Sequence, residues 1–276
     1  MGVVNVTPDS FSDGGRFLDP DAAAARALAL VAEGAAIVDV GGESTRPGAE
    51  AVSVAEELRR VVPVVERIAA AGVGARISVD TSKLEVARAA VDAGASIVND
   101  VTAFRAAPAM AELVAERDLD CALMHMAGTP RTMQEAPRYD DVTDEVRAFL
   151  EERLAFAVAH GVPEERVILD PGFGFGKTVA HNLELLRRLS EIVAIGRPVL
   201  VGTSRKSFIG SVTGRPAAER VAGTVATCVL AFERGASIFR VHDVAAARDA
   251  LLIAGATVDQ RWSVTTPGAS PTNMTS

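Results

Sequence analysis

Short runs of apolar, largely β-branched residues alternate along the chain with longer alanine-rich stretches. The short runs show no regular apolar–polar alternation, which is typical of strands buried on both faces of a parallel sheet. Eight of them predict strands, at residues 3–6, 37–40, 76–79, 96–99, 121–125, 167–169, 199–201 and 238–241. Helical patterns follow these runs, at residues 22–33, 55–71, 85–93, 109–117, 142–160, 183–194, 217–234 and 244–254.

This repeated strand–helix unit predicts the fold. Eight strands, each followed by a helix, are what a closed barrel requires, whereas an open doubly wound sheet usually has fewer units and a glycine-rich turn after its first strand. We therefore predict an α/β protein with a (β/α)8 TIM barrel as its single domain, over residues 1–257. Residues 258–276 are rich in Thr, Ser and Pro and predict a disordered C-terminal tail.

Composition and charge narrow the classes of function. The 276 residues carry a net charge of −8, which argues against non-specific nucleic-acid binding because that requires a basic surface. The sequence shows no run of 18 apolar residues and no signal-peptide pattern, so we predict a cytoplasmic protein without a membrane segment. Cys121 and Cys228 match no metal or redox spacing and are expected to be buried thiols.

Lysine is rare among the basic residues. Only three of the 28 are lysine, Lys83, Lys177 and Lys206, and the others are arginine. Arginine therefore serves wherever a positive charge is all that is needed. Each of the three lysines is a weak candidate for a position that requires a compact ammonium group.

Polar residues follow the predicted strands at their carboxyl ends, which form the barrel mouth where active sites of this fold lie. They are Asn5, Asp80, Asn99, Asp100, His125, Asp170, Ser204, Lys206, Arg240 and His242. Asp100 and Asp243 are equally well explained as caps of the following helices. Caps do not explain Lys206 and Arg240, because cations are unfavourable near helix N-termini, so these two predict an anionic ligand.

The connections after some strands are long for a barrel. Those at residues 7–15 and 43–49 are polar and contain glycine, as in lids and binding loops. A third, at residues 128–141, shows no recognisable chemistry. Residues 172–178 look like a P-loop but are one residue short, with Pro171 where the first glycine belongs, so no nucleotide site is predicted.

Several of these segments resemble the signatures of the dihydropteroate synthase family. The two main signatures are NVTPDSFSDGG at residues 5–15 and GGESTRPG at residues 41–48. Further matches lie at residues 78–81, 98–100, 170–177, 202–206 and 240–243. They follow the family's order from residue 3 to about residue 255, and together they are highly specific although the short ones are weak individually.

The resemblance implies a folate-pathway transferase. Such an enzyme joins 4-aminobenzoate to 6-hydroxymethyl-7,8-dihydropterin diphosphate, releases diphosphate and forms 7,8-dihydropteroate. The resemblance also implies a Mg²⁺ cofactor, a homodimer and inhibition by sulfonamides, which compete for the 4-aminobenzoate pocket.

The site residues implied by the resemblance fall into three groups. The pterin pocket would comprise Asp80, Asn99, Asp170 and Lys206. The diphosphate and Mg²⁺ would be held by Asn5, Arg240 and His242, with Asn5 as the metal ligand and Val241 beside them in the substrate-binding set. The 4-aminobenzoate would lie against Thr45, Arg46, Pro47, Phe175, Lys206 and Ser207. The catalytic contribution would come from Asp80, Lys206, Arg240 and His242.

The residue types fit this chemistry independently. A carboxylate such as Asp170 accepts hydrogen bonds from both the 2-amino group and the ring N–H of a pterin, and Asn99 offers a donor and an acceptor. Arg240 suits phosphate oxygens, and the single amide oxygen of Asn5 suffices for Mg²⁺ that keeps several waters. The resemblance suggests that diphosphate leaves first and that the neutral aromatic amine then attacks the pterin cation, so no activated nucleophile is needed.

Two alternatives remain open from the sequence. A methyltetrahydrofolate-handling methyltransferase barrel shares the Asp/Asn/Asp pterin pocket, but it would not need Lys206, Arg240 and His242 around a diphosphate. A catalytically silent paralogue acting as a binding partner would not need to keep Asn5, both loops, Lys206 and Arg240.

Overall fold

Eight parallel strands close into a barrel within the residues that this computed structural model describes, which are 1–7, 19–44, 48–129 and 132–258. The strands are β1 (Gly2–Asn5), β2 (Ile37–Gly41), β3 (Arg76–Asp80), β4 (Ile97–Asp100), β5 (Asp120–Met124), β6 (Val167–Asp170), β7 (Leu200–Val201) and β8 (Ile238–Phe239). Strands β1 to β6 pair in chain order, and β7 pairs with β8. Bridges between Gly2 and Val241 and between Leu169 and Val199 join the two sheets. The predicted single-domain (β/α)8 TIM barrel is confirmed.

The helices of the described residues surround these strands. They are α1 (Pro20–Ala32), α2 (Val54–Ala71), α3 (Leu84–Asp92), α4 (Met110–Glu116), α5 (Val142–Ala159), α6 (Val179–Arg187), α7 (Leu189–Val193), α8 (Ser207–Thr213), α9 (Val221–Glu233) and α10 (Val244–Val258). Helix α2 illustrates the local signals. The Ser53 hydroxyl caps its start by accepting from the Glu56 amide (3.3 Å), and Gly72 ends it in the left-handed region, where glycine is favoured.

Two predicted helices are each interrupted. The stretch predicted at 183–194 is two helices that meet at Arg188, whose guanidinium reaches Asp141 (2.6 Å) and Asp144 (3.0 Å) at the start of α5. The stretch predicted at 217–234 is a single 3-10 turn followed by α9.

Helix α8 has no counterpart in the sequence prediction. Its seven residues, SFIGSVT, include glycine, serine and β-branched residues, all weak helix formers. It forms because Phe208 and Ile209 are buried against the rest of the protein. Tertiary packing therefore overrides the local preference.

Two clusters of the apolar core surround and fill the barrel. Most of it lies between the strands and the helices, where α2 contributes Val61, Val65 and Ile68. A smaller cluster lies inside the barrel and consists of Ala122, Ile168 and Leu200, with Met1 and Ile238 packed against it. Because side chains fill the barrel interior as a core, the functional residues are left to the carboxyl ends of the strands.

The remaining sequence predictions concern the cysteines, membrane segments and the C-terminal tail. Cys121 and Cys228 are buried and unpaired, as expected. In the described ranges, no helix is long and apolar enough to cross a membrane. Helix α10 continues to Val258, beyond the predicted end at residue 254, so residue 258 is helical; the rest of the predicted tail, 259–276, and residues 8–18 lie outside the described residues.

Candidate active site

Three of the predicted polar residues lie at one level of the barrel mouth. The strand register aligns Asn5 with Gly41, Gly41 with Asp80, and Asp80 with Asn99. Residues at one level of neighbouring parallel strands face the same side of the sheet. Gly41 leaves room for its neighbour, since a Cβ on Gly41 would lie 3.3 Å from Cβ of Asp80. The register thus brings Asn5, Asp80 and Asn99 together.

Arg240 is held at this mouth by two carboxylates. Its Nε donates to Oδ2 of Asp39 (2.6 Å) and its Nη2 donates to Oδ2 of Asp80 (2.8 Å). Burial opposes the guanidinium charge, but the two carboxylates outweigh burial and raise the pKa of Arg240. Burial also raises the pKa of Asp80, to about 7, although Arg240 opposes this shift. Within the part of the chain that is described, the hydrogen bonds of Arg240 use Nε and Nη2 and none uses Nη1.

Asp39 is the principal residue that the sequence prediction missed. It is fully buried, and its Oδ2 also accepts from Nδ2 of Asn99 (3.0 Å). Asp39 therefore orients Asn99 and Arg240 at once. A signal was available, because side chains alternate along a strand and Asp39 shares a face with Gly41 at the end of β2. A lone carboxylate in an apolar strand of a barrel must find a cation or a donor.

Asp170 and Lys206 form a second polar group. Asp170 is buried, and its Oδ1 accepts from the Gly172 amide (2.7 Å). Nζ of Lys206 donates to the carbonyl of Phe173 and lies 4.5 Å from the centroid of the Phe175 ring. Burial raises the pKa of Asp170 despite the nearby Lys206 charge, and burial lowers the pKa of Lys206 to about 8. Burial therefore disfavours the charged form of both groups.

An apolar cluster adjoins these charges. Phe175 is half-buried and packs against the buried side chains Val101, Met124, Met126 and Met133. Met124 pairs with Asp170 across β5 and β6, so this cluster lies next to the buried carboxylate. No sequence pattern indicates this cluster, because the four residues come from three separate segments.

The predicted residues around β7 and β8 do not all face the barrel mouth. Nδ1 of His242 lies 2.9 Å from Oγ of Ser204, and Ser207 is exposed at the start of α8. Val241 sends its side chain into the main core, and its backbone pairs with Gly2. Since side chains alternate along an extended backbone, Val241 contributes no side chain to the face that Arg240 serves.

Asp100 serves the backbone rather than the barrel mouth. Its Oδ1 accepts from the Thr102 amide (2.7 Å) and its Oδ2 accepts from the Phe104 amide (2.8 Å). Both oxygens are occupied by the following turn, so Asp100 fixes this turn and does not cap helix α4, whose N-cap is Ala109. Asp243 instead accepts from Nε of Arg205 (2.9 Å) just before α10.

The second long loop is only partly described. Its predicted 4-aminobenzoate residues, Thr45, Arg46 and Pro47, lie outside the described residues. Glu43 and Ser44, at the beginning of this loop, are described. Nζ of Lys83 donates to Glu43 and to the buried Glu57 of α2. Lys83, to which the sequence assigned no role, therefore ties the start of the loop to the helix that follows it.

Asn5 is the residue expected to bind Mg²⁺. Across the ranges described, no group of three or more His, Cys, Asp or Glu side chains is placed to hold a metal ion. The Asn5 amide is half-buried at the mouth, level with Asp80 and Asn99. One neutral oxygen fits Mg²⁺, which keeps several waters and binds substrate phosphates, and does not fit an ion that needs a full protein cage.

Comparison with known proteins decides the family. Residues 1–242 match the family described as pterin binding enzyme. The chain belongs to the pterin-binding enzyme family. This pterin-binding enzyme is 49% identical to the dihydropteroate synthase of Escherichia coli (strain K12) over 261 residues, which cover 95% of this chain and 92% of the relative. The resemblance drawn from the sequence motifs is confirmed.

Solved structures of similar proteins share the barrel. Xanthomonas albilineans dihydropteroate synthase with 4-aminobenzoic acid is 52% identical to this pterin-binding enzyme, with 93% of this chain and 92% of that chain covered and a TM-score of 0.87. A structure of the enzyme from the same organism in complex with 7,8-dihydropteroate is 49% identical to this chain. The match covers 93% of this chain and 92% of that chain, with a TM-score of 0.84. The Yersinia pestis enzyme with a sulfonamide drug is 46% identical, with 93% of each chain covered and a TM-score of 0.88.

Proposed function

We propose that this pterin-binding enzyme is a dihydropteroate synthase. It transfers the 7,8-dihydropterin-6-ylmethyl group from its diphosphate to 4-aminobenzoate, releasing diphosphate and forming 7,8-dihydropteroate. One observation carries the proposal: a buried acceptor, Asp170, and an oriented cation, Arg240, lie at the mouth of the same barrel. The acceptor suits the donor edge of a pterin, and the cation suits a leaving diphosphate. Relatives solved with 4-aminobenzoic acid and with 7,8-dihydropteroate support this choice of substrate and product.

The pterin would be recognised by buried polar groups. Asp170 uses one oxygen for the Gly172 amide and keeps acceptor capacity for the 2-amino group and ring N–H of the pterin. Asn99 is fixed through its Nδ2 by Asp39, so its carbonyl oxygen has a defined direction. A ligand without matching groups would leave these buried atoms unpaired, at about 1–3 kcal/mol each.

The diphosphate would be held at the other end of the mouth. Asp39 and Asp80 fix the plane of the Arg240 guanidinium, and the remaining Nη1 donors would face the phosphate oxygens. His242, which contacts Ser204, and Asn5 would lie beside them. We expect Asn5 to supply one ligand to Mg²⁺. When bound, the ion would offset the negative charge that develops on the departing diphosphate.

The 4-aminobenzoate would lie beside Lys206 and Phe175. The ring of Phe175 and its methionine neighbours offer apolar contact to the aromatic ring, and Lys206 is near enough to compensate a carboxylate. Ser207, exposed next to Lys206, would add a hydroxyl. A sulfonamide that mimics 4-aminobenzoate would occupy the same space, so we expect inhibition by this class of compound.

The chemical step requires no protein nucleophile. The bond between the pterin methylene carbon and the diphosphate oxygen breaks, and its electron pair leaves with diphosphate. The lone pair of the amine nitrogen forms the new C–N bond, and that nitrogen then loses a proton. The residues of this chain contribute by orienting the two substrates and by stabilising charge on the leaving group.

We also propose a homodimer in a cytoplasmic location. Apolar side chains are exposed on the last helices, including Leu230 of α9 and Leu252 and Ile253 of α10, with Ile253 68% exposed. Packing α9 and α10 against a second copy would remove these side chains from water. The buried, unpaired cysteines suit a reducing compartment.

Isothermal titration tests the proposal against its alternatives. The dihydropterin diphosphate should bind more tightly with Mg²⁺ than without it, and more tightly than the same pterin lacking diphosphate. A methyltetrahydrofolate-binding barrel would bind the pterin without regard to diphosphate or Mg²⁺. That result would overturn the synthase proposal.

The pH profile should report the charge of Lys206. Burial lowers the pKa of Lys206 to about 8, so the group is an ammonium below this pH and loses its proton above it. Since kcat/KM reports groups of the free enzyme, we expect kcat/KM for 4-aminobenzoate to fall as the pH rises through about 8. In Lys206→Arg the guanidinium stays charged, so the fall should move well above this range. An unchanged alkaline midpoint in this variant would exclude Lys206 as its cause.

A further inference from the structure

Lys177 is a buried lysine that the proposed chemistry does not use. It is 3% exposed, and burial lowers its pKa to about 7. Nζ lies within hydrogen-bond distance of Nδ1 of His125 (2.9 Å), the carbonyl of Gly172 (3.0 Å) and the carbonyl of Phe175 (3.1 Å). In a P-loop the corresponding lysine reaches a phosphate, whereas this lysine is occupied by two carbonyls of its own loop and by His125.

His125 is suited to be a permanent acceptor for this lysine. Burial and the neighbouring charge of Lys177 lower the pKa of His125 to about 2, so the imidazole is neutral at physiological pH. A neutral ring keeps one nitrogen that accepts. The ring of Phe149 packs edge-on against His125 at 4.9 Å between centroids and restrains its orientation.

The glycine-rich loop at residues 171–177 packs between the residues that directly follow strand β5 and the side chain of Lys206. A Cβ on Gly172 would lie 1.9 Å from the His125 carbonyl oxygen, and a Cβ on Gly176 would lie 2.8 Å from the Ala127 carbonyl oxygen. On the other side, a Cβ on Gly174 would lie 3.0 Å from Cδ of Lys206. Only glycine allows such close approach, so a shift of the loop on one side is transmitted to Lys206 on the other.

The long connection after β5, which showed no chemistry in the sequence, also holds this loop. Nε2 of Gln134 donates to the Gly174 carbonyl (2.7 Å), and the Tyr139 hydroxyl donates to the Gly176 carbonyl (2.8 Å). With Lys177, the last residue of the loop, these side chains engage four of its carbonyls, those of Gly172, Gly174, Phe175 and Gly176. The remaining carbonyl between them, that of Phe173, accepts from Lys206.

We propose that Lys177 is a positioning residue for the 4-aminobenzoate end of the site, assisted by Gln134 and Tyr139. Lys177 holds the carbonyls of Gly172 and Phe175 in place. The loop thereby keeps the Phe173 carbonyl and the Phe175 ring in contact with Lys206. The dihydropterin would be held mainly by Asp170 and Asn99 on strands β6 and β4, which the loop touches only through the Gly172 amide and through Lys206. This inference rests on the proposed function for the identity of the two substrates.

Steady-state kinetics of Lys177→Met, Tyr139→Phe and Gln134→Ala test the proposal. Each lost hydrogen bond should raise KM for 4-aminobenzoate about fivefold, and Lys177→Met, which loses three, should raise it tenfold or more. KM for the dihydropterin diphosphate should rise by a clearly smaller factor in all three variants, because the loop reaches the pterin residues only through the Gly172 amide and Lys206. Glu135→Ala is the matched control, because Glu135 is exposed in the same connection and makes no described hydrogen bond to the loop.

The split between the two KM values separates positioning from loss of stability. A variant that merely unfolds in part lowers the concentration of active enzyme, so kcat falls while both KM values stay unchanged. If Lys177→Met does not fold, Tyr139→Phe and Gln134→Ala carry the test, because each removes only one hydrogen bond near the surface. Folded variants with wild-type KM for 4-aminobenzoate, or with both KM values raised equally, would overturn the proposal.

Hydrogen exchange makes the test independent of turnover. In Tyr139→Phe and Lys177→Met, the amides of residues 172–176 should exchange faster than in wild type, whereas those of β5 should not. If wild-type protein turns over neither substrate, the proposed function fails, and this measurement still decides whether Lys177 and Tyr139 fix the loop. Wild-type exchange rates in both variants would show that they do not.

Discussion

Asp170→Asn is expected to weaken binding of the dihydropterin diphosphate about a hundredfold while leaving the barrel folded. The carboxylate offers acceptors only, and the pterin edge offers two donors. An asparagine replaces one acceptor by an NH2 group that would face a donor, and it removes the charge from both hydrogen bonds. Folding should survive, because an amide of the same shape is less costly to bury than a carboxylate and its oxygen still accepts from Gly172.

Isothermal titration of the variant, with thermal unfolding beside it, measures both parts of this result. Asp92→Asn is the matched control, since Asp92 lies exposed on α3 and pairs only with Arg117 among the described residues. Its pterin affinity should equal that of wild type. Unchanged affinity in Asp170→Asn would mean that another carboxylate, with Asp80 as the first candidate, binds the pterin edge.

Arg240→Ala is expected to lower kcat about a hundredfold to a thousandfold, with a smaller effect on pterin affinity. Arg240 compensates charge on the leaving diphosphate, which grows as the C–O bond breaks, so its loss is felt more in the transition state than in the bound substrate. The variant should also lose about 3–5 kcal/mol of stability, because the buried Asp39 and Asp80 are left without their cation.

A double variant separates these two effects. Arg240→Ala with Asp39→Asn removes the fully buried one of the two uncompensated carboxylates and should regain part of the lost stability without regaining turnover. Rapid-quench measurement of kcat, with unfolding in urea, gives both quantities. Wild-type kcat in a folded variant that lacks Arg240 would refute its role at the leaving group.

The barrel and the polar residues at its mouth could be predicted from the sequence because each depends on local pattern. Buried parallel strands are continuous apolar runs. The residue that ends each run lies at the barrel mouth, whichever strands are its neighbours. This reasoning placed Asn5, Asp80, Asn99 and Asp170 without knowledge of the pairing register. Val241 came only from the family resemblance, and its side chain lies in the main core.

The features that were missed depend on contacts between distant segments. Asp39 lies 201 residues from Arg240 in sequence, and neither residue indicates the other. Helix α8 forms by packing and against the preference of its residues. The role of the connection after β5 is visible only once its side chains are seen to hold the glycine-rich loop.

The scarcity of lysine proved informative. Each of the three lysines places a compact amino group among specific acceptors. Lys206 lies beside the Phe173 carbonyl, Lys177 lies among two loop carbonyls and His125, and Lys83 lies between two glutamates. A planar guanidinium would fit the second of these places poorly, because its donors lie in one plane.

A coupled assay for released diphosphate tests the central claim most directly. The purified protein with Mg²⁺ should release diphosphate from the dihydropterin diphosphate only when 4-aminobenzoate is also present, with one 7,8-dihydropteroate formed per diphosphate. Release at the same rate without 4-aminobenzoate, or no release with both substrates present, would contradict the assignment of this barrel as a dihydropteroate synthase.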